Sequence, residues 1–220
     1  YINHINFEIM DKATFDPNCV KINNYNLKRH SKNILFLNRF LDFRNVSVLA
    51  ESVKLVLKKV PKARFYFVGY HTDSERKSVV DILERDDVLD SCEVVEYTSQ
   101  VSQYFDKCSI FVLLANEHKI FPNYSLLESM ERGLVPLLSD VYDSRFYMEK
   151  RSEELISKVE KVAVSKSLIK LLADETLWYK FSKKSRNYVK LHYDNSNRMK
   201  KLFNLIEGYY SNQQKIYGDN

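Results

Sequence analysis

The stretch FVLLANEHKIFPNYSLLESMERGLVPLLSD at residues 111–140 constrains the fold more than any other part of the sequence. Its pattern predicts a buried strand at residues 111–114, a polar loop, a short helix and a second strand at residues 134–139. Asn123 is a favoured N-cap residue, and Gly133 suits the position just after a helix end. Such a unit starts its helix at the carboxyl edge of a parallel sheet, where free N–H groups and the helix dipole bind anionic phosphates.

Short apolar segments alternate with helical segments through the first two thirds of the chain. The predicted strands are residues 34–37, 64–69, 93–97, 111–114 and 134–139. The predicted helices between them begin near Val46, Ser74, Val101 and Asn123. This alternation is typical of right-handed βαβ crossovers, and strands that are apolar on both faces fit a sheet covered on both sides. We therefore expect a doubly wound α/β fold with a parallel sheet.

The pattern divides the chain into three segments. Residues 1–32 are polar and weakly periodic and are expected to form a lead-in or linker, residues 33–150 form the α/β domain, and residues 151–220 form C-terminal helices. No strand is predicted after Ser152. The predicted C-terminal helices cover residues 165–173, 177–191 and 195–209. We expect them to pack on the α/β domain or on a neighbouring domain.

Composition excludes several functions. The 220 residues contain only four glycines and no GxGxxG or Walker-type loop, so a glycine-cradled dinucleotide is not expected. The three cysteines, Cys19, Cys92 and Cys108, have no metal-type spacing and indicate free thiols in a reducing compartment. A net charge of +5 with 29 interspersed acidic residues argues against a nucleic-acid partner. No apolar run is long enough to cross a bilayer.

Two arginines, Arg39 and Arg44, flank the loop after the first strand, at the edge of the sheet where open α/β folds bind ligands. Facing a helix that begins at Asn123, they would grip a diphosphate, because the planar guanidinium makes bidentate bonds to phosphate oxygens. The competing interpretation is that both arginines lie on a surface loop and pair with Asp42. The residues alone leave both interpretations open.

The order of these features resembles the C-terminal, donor-binding half of the GT-B glycosyltransferases of the large retaining family 4, also called glycosyl transferases group 1. The resemblance covers residues 33–210. It begins with Asn38-Arg39-Phe40, with Arg44 five residues after Arg39, and continues with the strand RFYFVG, the segment TSQVSQYFDKCSIFVLLA, the segment LLESMERGLVPLLSD at residues 126–140 and the terminal run LWYKFSKKSRNYVKLHYD. The segment at residues 126–140 has, in order, the glutamate, glycine, proline and serine of the second half of the family's two-glutamate motif. They are Glu128, Gly133, Pro136 and Ser139.

The resemblance implies a Rossmann-like domain that binds a nucleoside-diphosphate sugar and transfers a hexosyl unit. The implied catalytic residues are Arg39, Arg44 and Glu117, with the arginines holding the diphosphate of the leaving group. Glu128 would accept bonds from ribose hydroxyls, and the N–H groups near Tyr124 and Ser125 would bind a phosphate. The full set of implied donor-binding residues is Asn38, Gly69, Asn123, Tyr124, Ser125, Leu127 and Glu128. No metal or cofactor is implied beyond the donor substrate.

Two positions depart from the family's pattern. Ile120 stands where the first glutamate of the motif is usual, and Glu117 lies three residues earlier, so either Glu117 takes that role or the role is lost. Asn38 replaces a usual glycine and alters how closely the backbone can approach a phosphate. The Ile120 departure keeps open a second function, a non-catalytic α/β binding or assembly module.

The resemblance also implies partners. A glycan, a lipid-linked sugar or a protein would be the acceptor, and because the chain begins at Tyr1 rather than Met, we expect an N-terminal domain of the same polypeptide. A cytoplasmic location is expected. The lysine-rich segment at residues 180–201 is either a solvated helix face or a peripheral contact with anionic lipids.

Overall fold

A six-stranded parallel sheet organises the part of the chain that the computed structural model describes, which comprises residues 30–116, 123–141, 144, 147, 153–193 and 203–208. Its order is β3-β2-β1-β4-β5-β6, and every pairing of neighbours is parallel. The strands are β1 (Asn33–Leu37), β2 (Arg64–Tyr70), β3 (Cys92–Glu96), β4 (Ile110–Leu113), β5 (Val135–Ser139) and β6 (Ile156–Ser157). The predicted doubly wound α/β class is confirmed.

Helices connect the strands and follow them. They are α1 (Val46–Leu57), α2 (Asp73–Arg85), α3 (Ser102–Lys107), α4 (Tyr124–Glu131), α5 (Lys161–Ala173) and α6 (Glu175–His192). Residues 203–208 are also helical. No helix within these described ranges is long and apolar enough to cross a membrane.

Alternate residues of each strand face opposite sides of the sheet and build two separate cores. On one face, Ile34 and Phe36 of β1 pack with residues of α1, α2 and α5. On the other face, Leu35 and Leu37 pack with residues of α3 and α4. The continuous apolar strands that the sequence shows are therefore explained by burial on both faces.

The C-terminal helices close both cores. In α6, Trp178 and Phe181 join the first core and Val189 joins the second. The indole N–H of Trp178 donates to the carbonyl of Ser109 at 2.8 Å, and the hydroxyl of Ser182 donates to the carbonyl of Gly133 at 2.6 Å. Both acceptors lie beside the amino ends of β4 and β5, so α6 is anchored at the sheet edge opposite the carboxyl ends.

One expectation about the C-terminal segment is wrong. A strand, β6, follows Ser152, with Leu138 of β5 paired to Ile156 and Ser139 paired to Ser157. Two residues are too few to produce a period-2 pattern, so the sequence alone cannot reveal this strand. The helix boundaries also shift outward: α5 begins at Lys161, and α6 begins at Glu175.

Candidate functional site

The strand order changes direction between β1 and β4, which are neighbours although two strands separate them along the chain. From β1 the chain proceeds outward to β2 and β3, then returns to β4 on the other side of β1. The loops that leave β1 and β4 therefore part in opposite directions. Ligands of open α/β folds bind in the crevice that this divergence leaves outside the carboxyl ends of the strands.

The loop after β1 is fastened to the end of β4. The backbone N–H of Asn116 donates to the carbonyl of Phe43 at 3.0 Å, and the side-chain amide of Asn45 donates to the side-chain oxygen of Asn116 at 2.9 Å. Asn45 has a left-handed backbone, with φ of 50°, which asparagine tolerates better than most residues. These bonds hold the arginine-bearing loop over the crevice.

Asn38 joins this loop to the neighbouring strand. Its backbone N–H donates to the carbonyl of Val68 at 3.1 Å, which brings the end of β1 against Gly69 of β2. Its side-chain oxygen accepts a bond of 2.9 Å from the backbone N–H of Arg39. The asparagine that departs from the family's pattern thus occupies an N–H group that a glycine would leave available to a ligand.

Arg39 lies against the start of α2. Its Nε donates to Oε1 of Glu75 at 3.0 Å, and Oε2 of Glu75 accepts a 2.7 Å bond from the backbone N–H of His71. Partial burial raises the pKa of Glu75, but these two bonds outweigh it and leave that pKa below its usual value. The ionic partner of Arg39 is therefore Glu75, not the Asp42 that the competing interpretation suggested.

Arg44 faces the opposite way, toward the start of α4. It is half-buried, with the carbon of its guanidinium 4.9 Å from the centre of the Phe43 ring. Burial lowers the pKa of Arg44, and an electrostatic interaction with Tyr147 opposes that effect. Arginine side chains keep their charge in proteins near neutral pH. The loop therefore presents a partly desolvated cation on the α4 side of the crevice.

Tyr147 connects Arg44 with the first residue before α4. Its hydroxyl accepts a 2.7 Å bond from the backbone N–H of Asn123, and its side chain is 1% exposed. Asn123 is the predicted N-cap: its side-chain oxygen accepts a 2.9 Å bond from the N–H of Leu126. The structure thus brings Arg44, Tyr147 and the α4 start into one cluster.

The remaining predicted residues of α4 have different environments. Tyr124 and Ser125 are half-buried in the first turn, whose N–H groups are not used by the hydrogen bonds of the helix itself. Leu127 packs in the second core and its N–H donates to the carbonyl of Asn123, so its contribution is to packing. Glu128 is half-buried, and burial raises its pKa, opposed by the charge of Arg132.

Glu117 lies outside the described residues, as does Ile120, so the structure does not place either of them. Within the described ranges, no group of histidine, cysteine and acidic residues is arranged to hold a metal ion. Cys92 and Cys108 are free thiols, and burial raises the pKa of Cys92 to about 12.

Ser139 joins the carboxyl ends of β4 and β5 by hydrogen bonds beneath the crevice. Its hydroxyl accepts from the backbone N–H of Ala115 at 3.0 Å and lies 2.9 Å from the carbonyl of the same residue, to which it donates. The hydroxyl of Ser144 then donates to the carbonyl of Ser139 at 2.6 Å. Ser139, the serine of the glutamate motif, therefore holds the end of β4 just before Asn116.

Sequence reasoning missed Glu75, Asn116 and Tyr147. Thr72 and Glu75 do form the S/T-x-x-E pattern of a capping box, which signals the start of α2. That pattern gives no sign of the contact with Arg39, 36 residues away. Tyr147 had no local signal, since its role depends on a contact 24 residues away.

Comparisons with known proteins agree with this architecture. The sequence matches the family of glycosyl transferases group 1 over residues 20–190. A comparison with curated proteins finds no significant match.

Three similar solved structures show the same fold. TarM from S. aureus, solved as a point mutant with fondaparinux, α-GlcNAc-glycerol and UDP, is 18% identical with a TM-score of 0.72, over 86% of this chain and 38% of its own. Sucrose-phosphate synthase from Thermosynechococcus elongatus is 15% identical with a TM-score of 0.68, over 81% and 45%. The pneumococcal O-GlcNAc transferase GtfA, solved with UDP and GlcNAc, is 15% identical with a TM-score of 0.66, over 82% and 36%. The chain thus spans less than half the length of each of these proteins.

Proposed function

The chain belongs to the glycosyl transferases group 1 family, and from that premise we propose that it is the donor-binding domain of a retaining glycosyltransferase. It would bind a nucleoside-diphosphate sugar and support transfer of a hexosyl unit to an acceptor. Its sheet and flanking helices have the Rossmann-like architecture of one half of a GT-B fold. UDP in the solved TarM and GtfA structures supports a nucleoside diphosphate as the ligand class.

The cluster of Arg44, Tyr147 and the α4 start is the observation that carries this proposal. A half-buried guanidinium and the first N–H groups of α4 lie on the same side of the crevice. Since a helix N-terminus has a partial positive charge, both groups attract the same anion. We propose that a diphosphate binds beside both groups, with one phosphate in contact with each.

Arg39 would neutralise further negative charge of the diphosphate from the α2 side of the crevice. As the glycosidic bond breaks, negative charge grows on the leaving nucleoside diphosphate, and a fixed cation stabilises that charge more than it stabilises the bound donor. Arg44, the helix dipole and Arg39, whose charge is shared with Glu75, would together offset part of the diphosphate charge without a metal ion. We therefore propose a metal-independent site.

Two carboxylates would recognise the sugars of the donor. Glu128 lies in the second turn of α4, and we propose that its oxygens accept from ribose hydroxyls. We propose that Glu117 contacts the transferred sugar, since the aliphatic Ile120 has no polar atom for this task. Glu117→Gln should then lower transfer while leaving nucleoside-diphosphate affinity nearly unchanged, and Glu128→Gln should lower that affinity.

The acceptor side would come from another domain. The chain covers 36–45% of the three solved relatives, and we propose that an N-terminal domain of the same polypeptide completes the cleft. A glycan, a lipid-linked sugar or a protein would be the acceptor. The isolated chain would bind donor without transferring it, in the cytoplasm or peripherally at a membrane.

Titration of the chain with UDP, GDP and ADP, followed by NMR and calorimetry with and without EDTA, tests the proposal. We expect weak binding of at least one nucleotide, unchanged by EDTA, with chemical-shift changes at Arg39, Arg44 and Glu128. Absence of shifts at these residues would refute the site. Nucleotide binding together with no donor hydrolysis or transfer by a longer form carrying the preceding domain would instead indicate a non-catalytic binding module.

A further inference from the structure

We propose that Glu75 is a positioning residue for Arg39: it holds the guanidinium by its Nε so that the Nη groups point outward to the donor diphosphate. The inference rests on the proposed function, because it concerns how one of the two arginines is presented to the donor. Glu75 itself would not touch the donor.

Glu75 is suited to this role because both its oxygens are fixed. Oε1 accepts from Arg39 at 3.0 Å, and Oε2 accepts from the His71 N–H at 2.7 Å. Its side chain is only 12% exposed, whereas that of Arg39 is 51% exposed. The carboxylate is therefore the immobile member of the pair, and the arginine is the member that reaches solvent.

The atom that Glu75 contacts determines what Arg39 can still do. A guanidinium carries five N–H donors in one plane, one on Nε and four on the two Nη atoms. The bond to Glu75 uses the Nε–H, whereas a bidentate carboxylate would also occupy an Nη edge. The outer edge of the fork remains available for phosphate oxygens. Holding it in advance reduces the side-chain entropy that is lost when the donor binds.

The Glu75 carboxylate also helps to cap α2, and any test must distinguish this role from its contact with Arg39. Thr72 caps α2, its hydroxyl accepting from the Glu75 N–H at 3.2 Å, while the Glu75 side chain returns to the N–H of His71. This is a variant of the capping box, in which the glutamate normally reaches the N-cap N–H. Loss of Glu75 would thus weaken the α2 start as well as release Arg39. Thr72→Ala provides a matched control, since it weakens the same helix start and leaves the contact with Arg39.

The negative charge of Glu75 alone predicts the opposite effect on nucleotide affinity. A carboxylate near a diphosphate repels it, so if Glu75 acted only through its charge, both Glu75→Ala and Glu75→Gln would bind the nucleotide more tightly. If it acts by position, Glu75→Gln keeps one oxygen that can accept from the Arg39 Nε, although its NH2 group cannot accept from the His71 N–H, and it preserves more of the function than Glu75→Ala. Rescue by glutamine therefore distinguishes position from charge.

The experiment measures UDP affinity by calorimetry and the Arg39 Nε–H signal by NMR for the chain and for Glu75→Ala, Glu75→Gln, Thr72→Ala and Arg39→Ala. We expect Glu75→Ala to weaken UDP binding about fivefold and to broaden the Arg39 signal into exchange with water, as expected when one side chain loses its fixed geometry. Glu75→Gln and Thr72→Ala should stay within about twofold of the original affinity, with the Arg39 signal retained.

Equal or tighter UDP binding by Glu75→Ala, or an equal loss in Thr72→Ala, would overturn the inference. If Arg39→Ala weakens UDP binding while Glu75→Ala does not, the donor site stands and only the role of Glu75 is refuted. If the unaltered chain binds no nucleotide, the proposed function fails. The Arg39 signal would then still show whether Glu75 orders the guanidinium.

Discussion

A Cβ atom placed on Gly69 would lie 2.5 Å from the carbonyl oxygen of Asn38, closer than real side chains approach a backbone oxygen. Gly69 also has a φ of 119°, which residues with a side chain rarely adopt. The end of β2 and the start of the arginine-bearing loop can meet only because this residue is glycine. Gly69, expected from the sequence to bind the donor, thus sets the position of the loop beneath it.

Gly69→Ala should destabilise the chain by about 2 kcal/mol or more, because the substitution combines backbone strain with a steric clash. Gly208→Ala is the matched control: Gly208 lies in a helical segment with no atom within 4 Å of an added Cβ. That change should be neutral or stabilising by about 0.5–1 kcal/mol, owing to helix propensity. Urea unfolding of both variants measures the difference. Equal stabilities would show that Asn38 can move away at little cost.

Tyr147→Phe should destabilise the chain by about 1–3 kcal/mol, because it leaves the buried N–H of Asn123 without its acceptor. Tyr104→Phe is the control, since the hydroxyl of Tyr104 lies 3.5 Å from a carboxylate oxygen of Glu93, at the limit of a hydrogen bond. Its cost should be below about 1 kcal/mol. Chemical denaturation compares the two, and NMR shifts of Leu126 report on the α4 start. An unchanged α4 start in Tyr147→Phe would contradict the role assigned to the hydroxyl.

Local pattern explains why much of this architecture is predictable from sequence. The predicted start and end of α4 are confirmed: Asn123 caps the helix, and Gly133 has a φ of 85° just past its end. Both features depend on residues within a single turn, where cap chemistry and glycine's permitted backbone determine the outcome. The apolar strands were equally visible, because burial on both faces removes polar residues from them.

The features that could not be predicted from the sequence depend on contacts between residues far apart in the chain. The strand β6 exists because two residues pair with β5, and the bond between Tyr147 and Asn123 spans 24 positions. Arg39 was found, but its partner was not, since Glu75 already satisfied a local pattern as part of the α2 capping box. A residue that has one evident local role gives no sign of a second role across the fold.

Glu128→Gln should raise stability at neutral pH while weakening nucleotide binding. Burial raises the pKa of Glu128, so the folded state holds its proton more tightly than the unfolded chain does. The stability linked to this group is therefore fully present below the unfolded pKa and is lost as pH rises through the folded pKa. We expect the variant to match the original chain at acidic pH and to exceed it at pH 7 by about 0.5–2 kcal/mol.

Thermal unfolding of the Glu128→Gln variant across pH measures this effect. Glu131→Gln is unsuitable as a control because Glu131 is buried, so Glu84→Gln on the exposed face of α2 serves instead. The control should show little change in stability at any pH and no change in UDP affinity. A Glu128→Gln variant that is less stable at pH 7 would mean that the charged carboxylate is stabilised by its surroundings.

Arg44→Ala should weaken UDP binding at least tenfold while changing the free energy of unfolding by no more than about 1 kcal/mol. A charge-assisted hydrogen bond contributes about 1.5–3 kcal/mol to binding, and removing a half-buried cation also removes its desolvation cost from the fold. Arg44→Lys should lose part of the affinity, since an ammonium keeps the charge but not the planar fork. Arg85→Ala, at the far end of α2, is the control and should bind UDP normally. Calorimetry measures the UDP affinity of each variant, and thermal unfolding measures its stability. If Arg44→Ala melts several degrees lower yet binds UDP with unchanged affinity, Arg44 is a structural residue that stabilises the loop after β1 through its contact with Phe43.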